Sequence, residues 1–339
     1  MDSVSVFLYS RSAHNRQIIT GFRELKKQGK ISLEIIENYD SPIDHYLPSR
    51  DILEATINGT VKIAFDMTDG YFFDTQSVDK YLSSVEYYFK RSFSEIQNLE
   101  YSENNRKKIH PLSFNWDISY FFNPIEWYKS FKSFQTLVKK FVMPNSIKYY
   151  EREIKKNGPP IIFMCRLWAD DGSENVTDAE LVERTDINEM RINIIRRLKE
   201  EFKDDFIGGV EDNNTSRKLC PDLIMPMYYT KKMVYIKSMK KASICIASTG
   251  LHKSIGWKFG EYVAAGKAIV SEKLNYEVIG DFQEGKNYLE YSTVDECVEC
   301  VKKLYNNRQL LESMELNNKE YYYKYCRPDK LIEYVLNMI

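Results

Sequence analysis

An excess of charge of either sign is missing from this chain: 48 Lys and Arg stand against 49 Asp and Glu, a formal net charge of −1. Dedicated nucleic-acid binders carry a basic surplus, so no nucleic-acid partner is expected. No run of about 18 apolar residues occurs, the length a membrane-crossing helix needs. The opening residues, MDSVSVFLYSRSAHNRQ, lack a basic segment followed by a long apolar one. They do not read as a secretory leader, and a cytoplasmic location is expected. Cysteine is scarce, six in 339 residues, mostly within apolar runs, which reads as reduced cytosolic thiols. Cys297-x-x-Cys300 has no second pair at zinc spacing and no neighbouring His, and VDECVECVKKLY has helical periodicity. It reads as a core helix, with redox or metal use as the alternative. Internal repeats and low-complexity tracts are also missing.

What is present is a globular balance, 43% hydrophobic and 29% charged, in a chain long enough for two domains of roughly 150–190 residues. Short apolar runs alternate with longer amphipathic ones. Ser3–Tyr9, Ile31–Ile36 and Val61–Phe65 read as strands, Ile18–Gln28 and Val78–Ser92 as helices. Residues 98–115 read as loop, and Pro124–Lys140 as a helix with an aromatic face. Such alternation predicts βαβ units and parallel sheets. Asn157-Gly158-Pro159-Pro160 cannot continue a helix, so 150–160 reads as a linker. Beyond it, strands are expected at Ile161–Met164, Asp205–Val210, Ala242–Ala247, Ala268–Ser271 and Tyr288–Tyr291. Helices are expected at Glu189–Phe202, Thr230–Lys241, Gly256–Ala265 and Asp329–Met338. Ligands of such domains bind outside the carboxyl ends of the strands, so the loops there are where a site is expected.

The stretch after 242–247 carries the most chemistry. It reads Ser248-Thr249-Gly250-Leu251-His252-Lys253-Ser254-Ile255-Gly256-Trp257-Lys258, and a helix follows. A glycine-bearing loop ahead of a helix N-terminus offers backbone N–H groups and the positive end of a dipole, which suits phosphate. Lys253 and Lys258 add charge, and Glu261 in the helix could take the two hydroxyls of a ribose. Ordinary turn glycines and a solvated helix carboxylate are the plainer alternative.

The segment resembles the nucleotide-sugar half of the group 1 glycosyltransferases of GT-B fold. The family helix E-A-x-A-x-G-x-P-V-I is matched by Glu261-Tyr262-Val263-Ala264-Ala265-Gly266-Lys267-Ala268-Ile269-Val270. The family's following Glu and acidic-Gly-x-Asn stretch are matched by Tyr276-Glu277-Val278-Ile279-Gly280 and Glu284-Gly285-Lys286-Asn287, and its G-R-L strand end by Cys165-Arg166-Leu167. The likeness covers roughly 161–310. It implies an α/β fold of GT-B type, two Rossmann-like domains with parallel sheets facing a central cleft. Residues 1–155 would bind the acceptor, 156–325 the nucleotide sugar, and a final helix, 326–339, would return to the first domain. The implied activity is metal-independent transfer of a sugar from a nucleotide-sugar donor to a hydroxyl of a glycan, lipid-linked glycan or glycoprotein. The nucleotide sugar is then a substrate and no cofactor is expected.

By the same resemblance Arg166 would bind the donor diphosphate, as bidentate arginine chemistry allows, with a structural ion pair as its alternative. Gly250, Lys253 and Ser254 would complete that site, His252 would touch donor phosphate or sugar, and Glu261 would hold the ribose. The sequence departs from the family in three places. Lys253 stands where a second Glu commonly engages the sugar, Ala268 replaces the Pro, and Trp168-Ala169-Asp170-Asp171-Gly172 stands where a Lys usually follows. Lys253 favours the alternative of a non-catalytic nucleotide- or sugar-binding subunit of a glycosylation complex.

In the first half, His14 lies after the first strand and could act as a general base, or cap or decorate the surface. His110 is similarly ambiguous. Asp66 and Asp69 follow Val61–Phe65 and could supply a base or hold acceptor hydroxyls, with an Asx-turn as the alternative. Their spacing of three disfavours a haloacid-dehalogenase-type phosphatase, which needs its acid two residues after the nucleophile. Trp116–Phe134 could stack on sugars or form core. Tyr87–Phe93 and Lys139–Lys156 interleave basic and aromatic residues, which suits either a solvated helix face or peripheral contact with the inner face of an anionic membrane.

Overall fold

The computed structural model describes residues 1–40, 42–43, 45–120, 123–124, 145–169 and 176–339. Apart from Pro124, the expected helix Pro124–Lys140 lies outside them, as do Asp170–Gly172, most of the aromatic stretch after Tyr120 and the first residues of Lys139–Lys156. The chain divides into two compact units. One comprises Met1–Ile147, Asn275–Gly280 and Tyr323–Ile339, the other Lys148–Leu274 and Asp281–Tyr322.

The first unit is built on a six-stranded sheet, order β2-β1-β3-β4-β5-β6. Its strands are β1 (Asp2–Leu8), β2 (Ile31–Glu37), β3 (Leu53–Ile57), β4 (Val61–Asp66), β5 (Tyr87–Lys90) and β6 (Ile109–Pro111). Helices α1 (Arg16–Lys27) and α2 (Thr75–Leu82) belong to it. Ile18, Ile19, Phe22 and Leu25 of α1 repeat at helical spacing and are buried. Each such side chain contributes about 1.5–3 kcal/mol relative to exposure. The C-terminal helix Pro328–Leu336 lies against α1 so closely that a Cβ on Gly21 would stand 2.3 Å from the Pro328 carbonyl oxygen.

The sheet is parallel, as expected, except at β3, which runs antiparallel to both β1 and β4. The cause is local. Asn58 and Gly59 hold φ of 52° and 71°, and Thr60 N–H returns to the Ile57 carbonyl at 3.1 Å. That is the type I′ turn that Asn-Gly favours in tight hairpins.

The helix expected over Val78–Ser92 also differs. Asp74 caps α2 by accepting the Ser77 N–H at 2.8 Å, and the helix stops at Leu82. Tyr87-Tyr88-Phe89-Lys90 then forms an inner strand, parallel to β4 and β6, as aromatic residues prefer. Residues 88–93 are buried, so this segment offers no face to a membrane. The stretch expected as loop over 98–115 contains a one-turn helix, Glu103–Arg106, and β6. His110 sits in β6, its ring 5.7 Å from those of Tyr87 and Phe89, and burial lowers its pKa. Phe114, Trp116, Ile118 and Tyr120 are all buried in this unit.

The second unit holds a five-stranded parallel sheet, order β11-β10-β9-β7-β8. The strands are β7 (Ile161–Cys165), β8 (Phe206–Val210), β9 (Ile244–Ala247), β10 (Ala268–Glu272) and β11 (Tyr288–Tyr291). Its longer helices are α3 (Asp178–Phe202), α4 (Lys232–Lys241), α5 (Trp257–Ala264), α6 (Val294–Asn306) and α7 (Arg308–Tyr321). Every residue of β7 and β9 is buried, as expected for parallel strands covered on both faces. Cys297 is buried on α6 within the core. Helix α3 starts eleven residues before the expected Glu189, at a capping box. Thr177 accepts the Glu180 N–H, and Glu180 accepts the Thr177 N–H at 2.9 Å. Among the described residues no helix is long and apolar enough to cross a membrane.

Candidate functional site

In the second unit, β7 lies between β8 and β9, and the later strands β10 and β11 extend outward from β9. Strand order therefore reverses between β7 and β9, and open α/β sheets bind ligands outside the carboxyl ends at such a switch point. The loops leaving these two strands carry Arg166 and the 248–256 stretch.

One buried face of α3 fastens both loops. Arg184, Asn188 and Arg191 fall at i, i+4 and i+7, and all three are buried. Arg184 Nη1 donates to the Ala169 carbonyl at 3.0 Å. Asn188 accepts the Trp168 N–H and donates to the Trp168 carbonyl, both at 2.9 Å. Arg191 joins the two loops: Nη1 donates to the Arg166 carbonyl at 2.6 Å, Nε to Ser248 Oγ at 2.8 Å and Nη2 to the Thr249 carbonyl at 3.0 Å. Burial lowers the Arg191 pKa. Sequence reasoning missed this stripe. The available signal was polar residues at helical spacing on a helix that also carries Ile192, Ile194, Ile195 and Leu198.

Arg166 and Lys253 are both exposed. Among the described residues, no carboxylate pairs with either side chain. The backbone of the loop is more occupied than the sequence suggested. The Gly250 N–H donates to the Ser254 carbonyl at 2.9 Å, and the Ser254 N–H to the Leu251 carbonyl at 3.1 Å. A Cβ on Gly250 would stand 2.7 Å from Ser254 Oγ, so the loop is wrapped around a position suited to glycine. Thr249 N–H and Oγ1 both donate to Glu272 Oε2, at 2.7 and 3.0 Å. His252 Nε2 lies 3.7 Å from Glu180 Oε1. The N-terminus of α5 has no side-chain cap.

Glu261 is 1% exposed. Its Oε1 accepts the Tyr150 hydroxyl at 3.0 Å and the Lys232 ammonium. Neither partner was foreseen, because they lie 111 and 29 residues away in sequence. Lys258 turns from the loop to donate to the Met164 carbonyl, with its ammonium 4.5 Å from the Tyr235 ring centre. Burial lowers its pKa.

The first unit places His14 and Asp66 at the carboxyl ends of β1 and β4. Asp66 is saturated. Its Oδ1 accepts the Thr68 N–H at 3.0 Å and the Thr68 hydroxyl, which forms the Asx-turn. Its Oδ2 accepts the Tyr88 hydroxyl at 2.7 Å and the Lys90 ammonium at 2.6 Å. Burial raises the Asp66 pKa, but Lys90 and these hydrogen bonds outweigh it and the net shift is downward. The expectation of a base here is therefore corrected: Asp66 is a buried ion-pair carboxylate with low proton affinity.

His14 meets Arg91, whose Nη1 donates to Nδ1 at 2.9 Å. Asn115 Oδ1 is 3.4 Å from the same nitrogen. The shorter contact decides the tautomer, because a guanidinium only donates. Nδ1 presents its lone pair and Nε2 carries the proton. Burial first, then Arg91, lowers the His14 pKa. Arg91 also stands 2.8 Å from Asp69 Oδ1, an ionic contact in which no N–H is aimed at that oxygen.

No family model matches this sequence, and no curated protein does. Solved structures do resemble it. A glycosyltransferase from Rickettsia africae aligns over 81% of this chain and 69% of its own, at 14% identity and a TM-score of 0.45. The pneumococcal O-GlcNAc transferase GtfA, solved with UDP and GlcNAc, aligns over 94% of this chain and 54% of its own, at 10% identity and a TM-score of 0.43. Anabaena HepE, solved with UDP and glucose, aligns over 94% and 89%, at 10% identity and a TM-score of 0.37.

Proposed function

We propose that this chain is a metal-independent glycosyltransferase of GT-B type, moving a sugar from a nucleotide-sugar donor to a hydroxyl of a carbohydrate or glycoconjugate acceptor. The observation that carries this reading is the pair of exposed cations, Arg166 and Lys253, which pair with no carboxylate among the described residues and stand on the loops that leave β7 and β9 at the switch point. Arg191, buried beneath both loops, holds them in register. Two cations and the uncapped N-terminus of α5 suit a diphosphate. They also stabilise charge as it develops on a departing nucleotide, so the role of a metal ion falls to side chains. Glu261, held through Oε1, keeps Oε2 for the ribose. His14 enters this reading as a hydrogen-bond donor through Nε2–H, because Arg91 occupies the nitrogen a base would use.

A second reading, nucleotide-sugar binding without transfer, is favoured by the saturation of Asp66. Donor hydrolysis without acceptor separates the two, since a pure binder produces none.

The test is thermal unfolding with UDP, GDP, ADP and their sugar conjugates, with and without EDTA. A ligand at a hundredfold its dissociation constant adds about 2.7 kcal/mol, a clear rise in Tm. One nucleotide should stabilise the protein, survive EDTA and lose about tenfold in affinity in Arg166→Ala, whose own Tm stays near wild type. No rise with any nucleotide overturns the donor site.

A further inference from the structure

The donor loop already has an acid on its backbone. The Lys253 N–H donates to Glu183 Oε1 at 3.2 Å, across 70 residues of sequence. His252 and Lys253 both hold positive φ, 57° and 55°, unusual for consecutive residues with side chains. This turn aims the Lys253 N–H at α3. The contact differs from the one at Thr249, where Glu272 takes a backbone and a side-chain donor together at 2.7 and 3.0 Å. Glu183 takes a single, longer bond and is only partly buried. Among the described residues no cation pairs with its carboxylate, and no carboxylate pairs with the Lys253 ammonium. The Glu183 carboxylate thus meets Lys253 as an acceptor of its backbone N–H.

We propose that Glu183 stands in for an anion on this loop, so that a donor diphosphate must displace it and Glu183 sets the affinity for the donor. The proposal rests on the diphosphate reading of the loop. A carboxylate oxygen on a backbone N–H has the acceptor geometry of a phosphate oxygen, and one N–H cannot serve both well. Two anions on one short loop also repel, more strongly where the surroundings are partly dry. Arg166 and Lys253 attract the diphosphate, and Glu183 offsets part of that attraction.

The experiment is calorimetric titration of UDP, GDP and ADP into wild type, Glu183→Gln and Glu183→Ala at low and high salt. The glutamine variant keeps the size and removes the charge. At low salt both variants should bind the recognised diphosphate about tenfold more tightly, and the gain should shrink at high salt as screening replaces the lost repulsion. A diphosphate that binds the variants no better than wild type overturns the role of Glu183 and leaves the donor site standing. Absence of binding to all three proteins overturns the donor site and the proposal together. Because Glu183 is partly exposed, both variants should melt near wild type, which separates a change in binding from a loss of fold.

Discussion

The carboxyl ends of the two sheets treat charge in opposite ways. In the first unit, Asp66 is closed by four hydrogen bonds, two on each oxygen, and Arg91 is shared between His14 and Asp69. In the second unit, Arg166 and Lys253 are exposed and have no acidic partner among the described residues, and the buried Arg191 donates to two backbone carbonyls and to Ser248 Oγ. A buried charge needs its partners to exist at all. An exposed one can wait for a ligand. The first arrangement therefore reads as architecture and the second as a site.

The largest break in this contrast should come from Lys90→Met. It leaves Asp66 charged, buried and short of its cation, so a loss of about 3–5 kcal/mol is expected in denaturant unfolding, with nucleotide binding in the surviving folded protein unchanged. The same carboxylate predicts acid sensitivity. Its folded pKa lies below the unfolded value, so its contribution is full above about pH 4 and disappears as pH falls towards the depressed value. An acid-unfolding profile of wild type indistinguishable from that of Asp66→Asn would contradict this.

Arg191→Met should cost less stability and more function. It strips the Arg166 and Thr249 carbonyls of a donor, about 2–3 kcal/mol. It also frees the two loops from each other, so nucleotide affinity should fall even though Arg191 touches no ligand in this reading. Arg191→Lys can restore charge but not three directed donors, and its affinity should stay low.

The smallest effect belongs to His14. Its pKa is lowered on folding, so the unfolded chain binds the extra proton as pH drops below about 6.5, and stability declines over that window. Urea unfolding at pH 8 and pH 5 should show a smaller decline in His14→Gln. An equal decline would mean that His14 is no more buried than an ordinary surface histidine.

Much of the second sheet was legible in the sequence. Ile244–Ala247 and Ala268–Glu272 are short apolar runs bounded by turn residues, and a parallel strand covered on both faces has to look that way. Other signals were present and lost to competing patterns. Asn58-Gly59 marks a hairpin, yet Leu53–Ile57 alternates too briefly to stand out without its partner. Thr177-x-x-Glu180 marks the start of α3, but the apolar spacing begins only later. Tyr87–Lys90 continues a helical pattern on paper. It becomes a strand because α2 ends at Leu82 and the neighbouring strands accept the aromatic residues.

The sequence alone determined the alternating α/β organisation, because periodicity follows from which face each segment must bury. It also determined where cations follow apolar strands, at Arg166 and in the 248–256 stretch. Only the tertiary structure decided which charges are taken. Lys90 beside Asp66, Lys232 and Tyr150 on Glu261, and Glu183 on the Lys253 N–H are separated by 24 to 111 residues in sequence. No local pattern encodes such pairs, because they form where folded elements cross and not where the chain is continuous.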